Sequence, residues 1–135
     1  MAYTTQSEIE TKIPATHLVD ALDDDGDGTA DSGVLTSVIE SAGNAVDAYL
    51  AGLFTVPFVT VPAPCREAAF VFACETIYDR RQIFDKNPFR DRADFWRKRL
   101  EAIGKGEIPL DASQEKAYAP GAAITEDVSI DETMT

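Results

Sequence analysis

Residues 68–74 read AAFVFAC, a run in which every side chain is small or apolar and no face is polar. The run is much shorter than the roughly 18 to 20 residues that cross a bilayer. A buried β-strand is one interpretation of so short a run. Charged residues on both sides, from Arg66 to Arg81, extend the pattern to helical length. This length favours a helix from Pro64 to about Phe84, at the centre of a helical bundle.

A long amphipathic helix is predicted before this central helix, starting near Gly33. Its apolar positions recur at steps of three and four residues, and they are Val34, Leu35, Val38, Ile39, Ala42, Val46, Tyr49, Leu50 and Leu53. Ser32 is the expected N-cap, with Asp31 near the positive end of the helix dipole. Prolines among residues 55–64 then predict an extended connector that can include a short edge strand.

Shorter helices are predicted on either side of this arrangement. A capping box at Thr5 begins a first helix, and Pro14 ends it and opens a second over residues 15–22. Asn87 and Pro88 are the expected N-cap and first-turn proline of a last helix. Its apolar stripe predicts that Trp96 is a core anchor, and the stripe consists of Phe89, Ala93, Trp96, Leu100 and Ile103.

The sequence changes character beyond Leu110, where small and acidic residues predominate. Such a segment cannot bury enough apolar surface to pack by itself. The predicted fold class is therefore mainly α. One small helical bundle around a central apolar helix spans residues 1–110, and residues 111–135 form an extended, acidic C-terminal arm.

The charge of the chain is unevenly distributed along its 135 residues, which carry −12 in total. Residues 1–64 hold one Lys against ten Asp and Glu, a net charge of −9. Residues 65–106 carry +3, and residues 107–135 carry −6. Since binding to phosphates needs clustered cations, we expect no general nucleic-acid binding. The start of the chain lacks the pattern of a signal peptide, so we expect it to begin in a cytoplasm.

The sharpest local motif is the aspartate turn, residues 23–31, which read DDDGDGTAD. It resembles a calcium-binding EF-hand loop, with carboxylates at positions 1, 3, 5 and 9, glycine at position 6 and a backbone carbonyl at position 7. These positions are Asp23, Asp25, Asp27, Asp31, Gly28 and Thr29. Position 12 is Val34 instead of the usual bidentate glutamate. We therefore expect a mainly structural turn and no cofactor, with weak calcium binding as the alternative.

No set of residues resembles a catalytic apparatus, and we expect that the protein is not an enzyme. His17 is the only histidine, and no nucleophile can be assigned to it. Cys65 and Cys74 lie nine positions apart on the predicted central helix. That spacing separates them by roughly 13 Å, too far for a disulfide, so both are expected to be buried thiols.

The last predicted helix carries cations interleaved with aromatic residues, a pattern that can hold nucleic acid. Acidic residues interrupt it, which favours a salt-bridged face directed at solvent or at an acidic partner. We expect the middle segment, residues 65–106, to bind the acidic C-terminal arm of a neighbouring copy when the protein assembles. The predicted interface residues are Arg80, Arg81, Arg90, Arg92, Arg97, Arg99, Ile124, Val128 and Ile130.

Six short motifs follow one another along about residues 1–110. They are Met1-Ala2-Tyr3, the turn at 25–31, VDAYL at 46–50, Pro57, Val61-Pro62 and IGKGEI at 103–108. Their order and spacing resemble the phage-Mu-like head-tail connector, or adaptor, family of tailed phages. The arm departs from the shorter core of that family.

The resemblance implies a structural virion protein that forms a ring, of about twelve copies, beneath the portal protein. The ring would dock tail completion or stopper proteins in the virion neck, after assembly in the host cytoplasm. DNA would pass through its lumen without sequence-specific binding, and neither catalysis nor a membrane partner is implied. One alternative is a calcium-responsive helical binding module that uses the aspartate turn. Another is a small enzyme or inhibitor of unknown type.

Overall fold

The computed structural model describes residues 2–80 and 86–110. Within these ranges the chain forms five α-helices, namely α1 (Gln6–Lys12), α2 (Ala15–Leu22), α3 (Ser32–Leu50), α4 (Ala63–Asp79) and α5 (Arg90–Gly104). The mainly α prediction is confirmed. The short edge strand predicted in the connector is wrong, because residues 51–62 form turns and bends there. The predicted arm, residues 111–135, lies outside the described residues.

Helix α4 is the centre of the bundle, as its apolar run predicts. It packs against α1, α2, α3 and α5. Its buried residues are distributed around the whole helix and include Ala68, Ala69, Val71, Phe72, Ala73 and Cys74. None of the helices in the described ranges is both long and apolar enough to cross a membrane.

Helices α3 and α5 come close together where both end. A Cβ atom placed on Gly104 would clash with the backbone oxygen of Tyr49, so only glycine fits at this contact. Trp96, Leu100 and Ile103 of α5 are buried in the same core, which confirms Trp96 as a core residue. After α5 the chain turns at Gly106, which has a φ of +79°, and Leu110 returns to the core.

The N-terminal segment is held by Tyr3, whose side chain is buried. Its hydroxyl donates a hydrogen bond to Asp47 of α3 and accepts one from the backbone N–H of Phe58 at 2.9 Å. Burial, together with the bond to Asp47, raises the pKa of Tyr3 above its usual value. One side chain therefore joins the N-terminal segment, α3 and the connector.

The predicted start of α3 was one residue late. Asp31, and not Ser32, is the N-cap. The carboxylate of Asp31 does not bond to the amides of the helix and instead accepts the backbone N–H of Asp24 at 3.1 Å. The side chain therefore organises the preceding turn, while Ser32 becomes the first residue of the helix.

The ends of α4 and α5 also differ from the predicted ones. Helix α4 ends at Asp79 and not near Phe84, and α5 begins at Arg90 after the N-cap Phe89. The side-chain oxygen of Asn87 accepts the backbone N–H of Phe89 at 2.9 Å, as a capping residue does, one turn ahead of α5. The amide nitrogen of Asn87 donates to the Glu75 carbonyl at 2.8 Å and to the Asp79 carboxylate at 2.9 Å, a contact with α4 that local sequence does not reveal.

Candidate functional site

The aspartate turn joins α2 to α3 and closes through a hydrogen bond from the Asp31 N–H to the Leu22 carbonyl at 3.1 Å. Gly26 and Gly28 have φ angles of +76° and +85°. These angles lie in the left-handed region that side chains with a Cβ rarely adopt. The glycine expected at position 6 of the motif therefore has the backbone conformation that the motif requires.

The carboxylates of the turn converge as the sequence predicts. One oxygen from each of Asp23, Asp25, Asp27 and Asp31 lies within 4.8 Å of the others. Backbone amides already bind these carboxylates, since Asp23 accepts the N–H of Gly26 at 2.8 Å and that of Gly28 at 2.9 Å. The acidic side chains therefore shape the turn through bonds to its own backbone.

Thr29 and Val34, at the two remaining ligand positions of the motif, differ in what they offer. Thr29 donates its N–H and its hydroxyl to one oxygen of Asp27, both at 2.9 Å. These bonds lower the pKa of Asp27. Val34 packs against the core at position 12 and supplies no oxygen. The turn thus has the carboxylates that suit a hard cation but lacks the final bidentate ligand, so a mainly structural turn stays the prediction and weak calcium binding stays its alternative.

The pKa of Asp25 departs in the opposite direction from that of Asp27. A hydrogen bond from the backbone N–H of Asp27 favours the charged form of Asp25. Desolvation and the nearby carboxylates of Asp23 and Asp27 outweigh this bond and raise the pKa. Crowding of like charges is the cause that moves the pKa values of neighbouring carboxylates apart in this way.

Arg80 links the aspartate turn to the C-terminal end of α4. Its guanidinium bonds to both oxygens of Asp24, at 3.0 and 3.1 Å, and to the carbonyl of Ala21 at 2.7 Å. The sequence predicted a partner interface for Arg80 and no pairing for Asp24. Because the two residues are far apart in sequence, no local pattern could have paired them.

A second cluster, the arginine network, joins α4 to α5 and consists of Glu75, Asp79, Arg90, Asp94 and Arg97. Glu75 is 7% exposed. Its carboxylate binds Arg97 through two hydrogen bonds of 2.9 Å and Arg90 through one of 2.7 Å. Hydrogen bonds to Glu75 and Asp94 raise the pKa of Arg97. The salt-bridged character predicted for α5 is confirmed, although the central role of Glu75 was missed.

The remaining cations of α5 take no part in the ion pairs of this network. Arg92, Lys98 and Arg99 are exposed, and none of them forms an ion pair with another described residue. Arg92 lies over the ring of Phe89, with 5.7 Å from its guanidinium carbon to the ring centroid. The other predicted interface residues, Arg81, Ile124, Val128 and Ile130, lie outside the described ranges.

His17 and the cysteines occupy packed positions. The Nδ1 atom of His17 lies 2.8 Å from the Tyr78 hydroxyl, and the two rings meet edge to face. Cys65 and Cys74 form no disulfide, and both are fully buried. Burial raises the pKa of the Cys74 thiol to about 12. A thiol with so high a pKa is a poor nucleophile at neutral pH, which agrees with a packing role.

The family model described as Bacteriophage Mu, Gp36 matches residues 3–126 of the chain. No curated protein matches the chain. The match covers the whole bundle and both clusters described above.

Proposed function

The chain belongs to the bacteriophage Mu Gp36 family, and it is therefore a phage structural or morphogenesis protein, for which we propose the specific role of head-tail connector. In this role it forms a ring beneath the portal protein in the virion neck and docks a tail completion or stopper protein. The observation that carries the proposal is the family match over residues 3–126. The order of the short motifs along the bundle supports the finer assignment.

The way the helices are joined supports a role as a rigid assembly part. The arginine network joins α4 to α5, and the pair between Arg80 and Asp24 joins α4 to the aspartate turn. Ion pairs that link different helices restrict how they move against one another when their geometry is bidentate. A subunit of a ring benefits from such restriction because each copy must present the same surfaces to its neighbours.

The charge distribution supports the passage of DNA through the proposed ring. Residues 1–64, which include α1 to α3, carry a net charge of −9. An acidic surface repels phosphates and so limits binding of the DNA that passes it. In this proposal the protein has no catalytic role and no membrane partner, and about twelve copies close the ring.

Electron microscopy of phage particles that contain this chain tests the proposal directly. We expect density for the bundle as a ring between the portal and the tail. Particles made without the chain should accumulate as filled heads that carry no tails. Density for the bundle at the capsid interior or along the tail tube, or particles that join tails normally without it, would contradict the connector role.

A second candidate function is a calcium-responsive binding module. It is favoured by the four carboxylates that lie within 4.8 Å of one another. Calcium titration separates the two candidates, because the module requires calcium to change its stability or partner binding. The connector proposal expects a fold that is indifferent to calcium and to chelator, since backbone amides already occupy the carboxylates.

The C-terminal arm enters the proposal as an assembly segment. A chain truncated after Leu110 should keep its helix content, because all five helices end before that residue. We expect it to be incorporated poorly into virion necks. Truncated protein that supports tail joining as well as the full chain would show that the arm has no part in assembly.

A further inference from the structure

One side of α5 combines an exposed aromatic ring with cations, and we call it the Phe95 face, defined by Arg92, Phe95, Lys98 and Arg99. Arg92, Lys98 and Arg99 lie three or four positions from Phe95 and therefore share its side of the helix, as does the exposed Asp91. Phe95 is 55% exposed, and its ring packs edge to face on Trp96 at 5.5 Å between centroids. An aromatic side chain held in this exposed position is typical of a binding surface.

The cations of the Phe95 face are available, unlike those of the arginine network. Arg90 and Arg97 are engaged by Glu75, Asp79 and Asp94. Arg92, Lys98 and Arg99 form no ion pair with another residue that the structure describes, although the charge of Lys98 helps to lower the pKa of Asp94. The structure thus divides the basic residues of α5 into one set that holds the fold and another that can attract an acidic ligand.

The acidic C-terminal arm has a matching order of side chains. Residues 126–132 read EDVSIDE, so acidic pairs flank Val128 and Ile130. In an extended chain, Glu126 and Glu132 share the side of Val128 and Ile130 and lie roughly 20 Å apart. Along α5, Arg92 and Arg99 lie roughly 10 Å apart, with Phe95 between them. An extended arm can therefore place one glutamate beyond each of these arginines, on the same side as the apolar side chain that covers the ring.

We propose that residues 126–132 of one copy bind the Phe95 face of a neighbouring copy, an inference that rests on the proposed ring. The described part of the chain passes Leu53 at Gly106 and then ends at Leu110, which is buried. It therefore leaves from the side of α5 that packs on the core and not from the exposed Phe95 face. Residues 111–125 can span at most roughly 50 Å, a reach sufficient for an adjacent subunit. Closed symmetry repeats the contact at every interface.

Photocrosslinking of the full-length chain tests this contact without phage particles. Phe95 is replaced by p-benzoylphenylalanine, and nitrogen-15-labelled and unlabelled copies are mixed and irradiated at rising protein concentration. We expect crosslinks from position 95 to residues 126–132 of a copy with the other label. High salt should reduce their yield, because it screens exposed charges.

Charge reversal provides the second measurement and its matched control. Arg92→Glu, Lys98→Glu and Arg99→Glu together should reduce the crosslink yield at least tenfold. The added substitutions Glu126→Lys, Asp127→Lys, Asp131→Lys and Glu132→Lys should restore the crosslink yield. Lys12→Glu, Arg66→Glu and Lys86→Glu change the net charge equally at exposed positions outside the face, and they should leave the yield within twofold.

Three outcomes would overturn the proposal, namely crosslinks that stay within one copy, crosslinks to other segments only, and no crosslinks at any concentration. An equal loss in the face variant and its control would also overturn it. These failures differ from failure of the connector role, which is judged by the position of density in phage particles. A ring in the neck without the crosslink would contradict only the arm contact.

Discussion

The carboxylate of Glu75 and the guanidinium of Arg97 form two parallel hydrogen bonds, each 2.9 Å long, between α4 and α5. Arg97 also lies over the ring of Phe72, with 5.9 Å from its guanidinium carbon to the centroid. Glu75 is the charged residue of α4 that is buried, and a buried carboxylate is costly unless it is paired. The geometry of this pair therefore fixes how α5 lies on α4.

Replacing Glu75 tests the contribution of this pair. Glu75→Ala should lower the free energy of unfolding by about 1–3 kcal/mol, because it removes charged hydrogen bonds and leaves two arginines close together. The side chains of Arg90 and Arg97 are partly exposed, which limits the loss. Asp94→Ala, at an exposed partner of Arg97, should cost less than about 1 kcal/mol. Urea denaturation measures both, and equal losses would contradict a central role for Glu75.

Trp96 should behave as a core residue in stability measurements. Trp96→Ala is expected to cost about 3–5 kcal/mol, since it leaves a large cavity between α5 and the rest of the bundle. Phe95→Ala, at the exposed neighbouring position, is the control and should change the melting temperature little. A Trp96→Ala protein that keeps its melting temperature but fails to bind partners would show that Trp96 serves as a binding surface.

Gly104 should not tolerate a side chain. In Gly104→Ala, the added carbon would clash with the backbone oxygen of Tyr49, and overpacking of this kind costs about 1–3 kcal/mol. Gly33→Ala is a suitable control, because no atom lies within 4 Å of a Cβ at that helical position. It should be neutral or slightly stabilising. Thermal unfolding of both variants checks the difference, and similar melting temperatures would argue against the close approach of α3 and α5.

The stability of the aspartate turn should depend more on Gly28 than on the ion pair between Asp24 and Arg80. Gly28→Ala should cost about 1–2 kcal/mol, because the residue has a left-handed backbone conformation. Asp24→Ala breaks a partly exposed pair with Arg80 and should cost about 0–1 kcal/mol. Denaturant titration ranks the two variants. Calorimetry with calcium should show no micromolar binding, and unfolding by a chelator would disprove the structural role.

Acid should destabilise the bundle partly through Asp79. Burial works against ionisation of this residue, but hydrogen bonds from Asn87 and Arg90 outweigh it and lower its pKa. Since the folded pKa lies below the unfolded value of about 3.9, the stabilisation is present above pH 4 or so and is lost as the pH falls through the folded pKa. Melting temperatures measured between neutral and acidic pH should fall less steeply for Asp79→Asn. An unchanged slope would contradict this assignment.

Hydrophobic periodicity predicted α3 and α5, and the apolar run of residues 68–74, which has no polar face, predicted the central position of α4. Sequence patterns of this kind could not predict contacts between distant residues. The Asn87 amide binds the end of α4, and Arg80 binds Asp24 across 56 positions of sequence. For the aspartate turn, the spacing of the motif predicted the convergence of carboxylates. It could not show that backbone amides would satisfy them.

Tyr3 imposes an order on events during synthesis at the ribosome. Its hydroxyl bonds to residues that lie 44 and 55 positions later in the chain. The N-terminal segment therefore cannot reach its final place until the extended segment between α3 and α4 has left the exit tunnel of the ribosome. Helix α4, which covers the same core, emerges later still. Tyr3 must wait for partners still to be translated, so the bundle closes only after most of it has been produced.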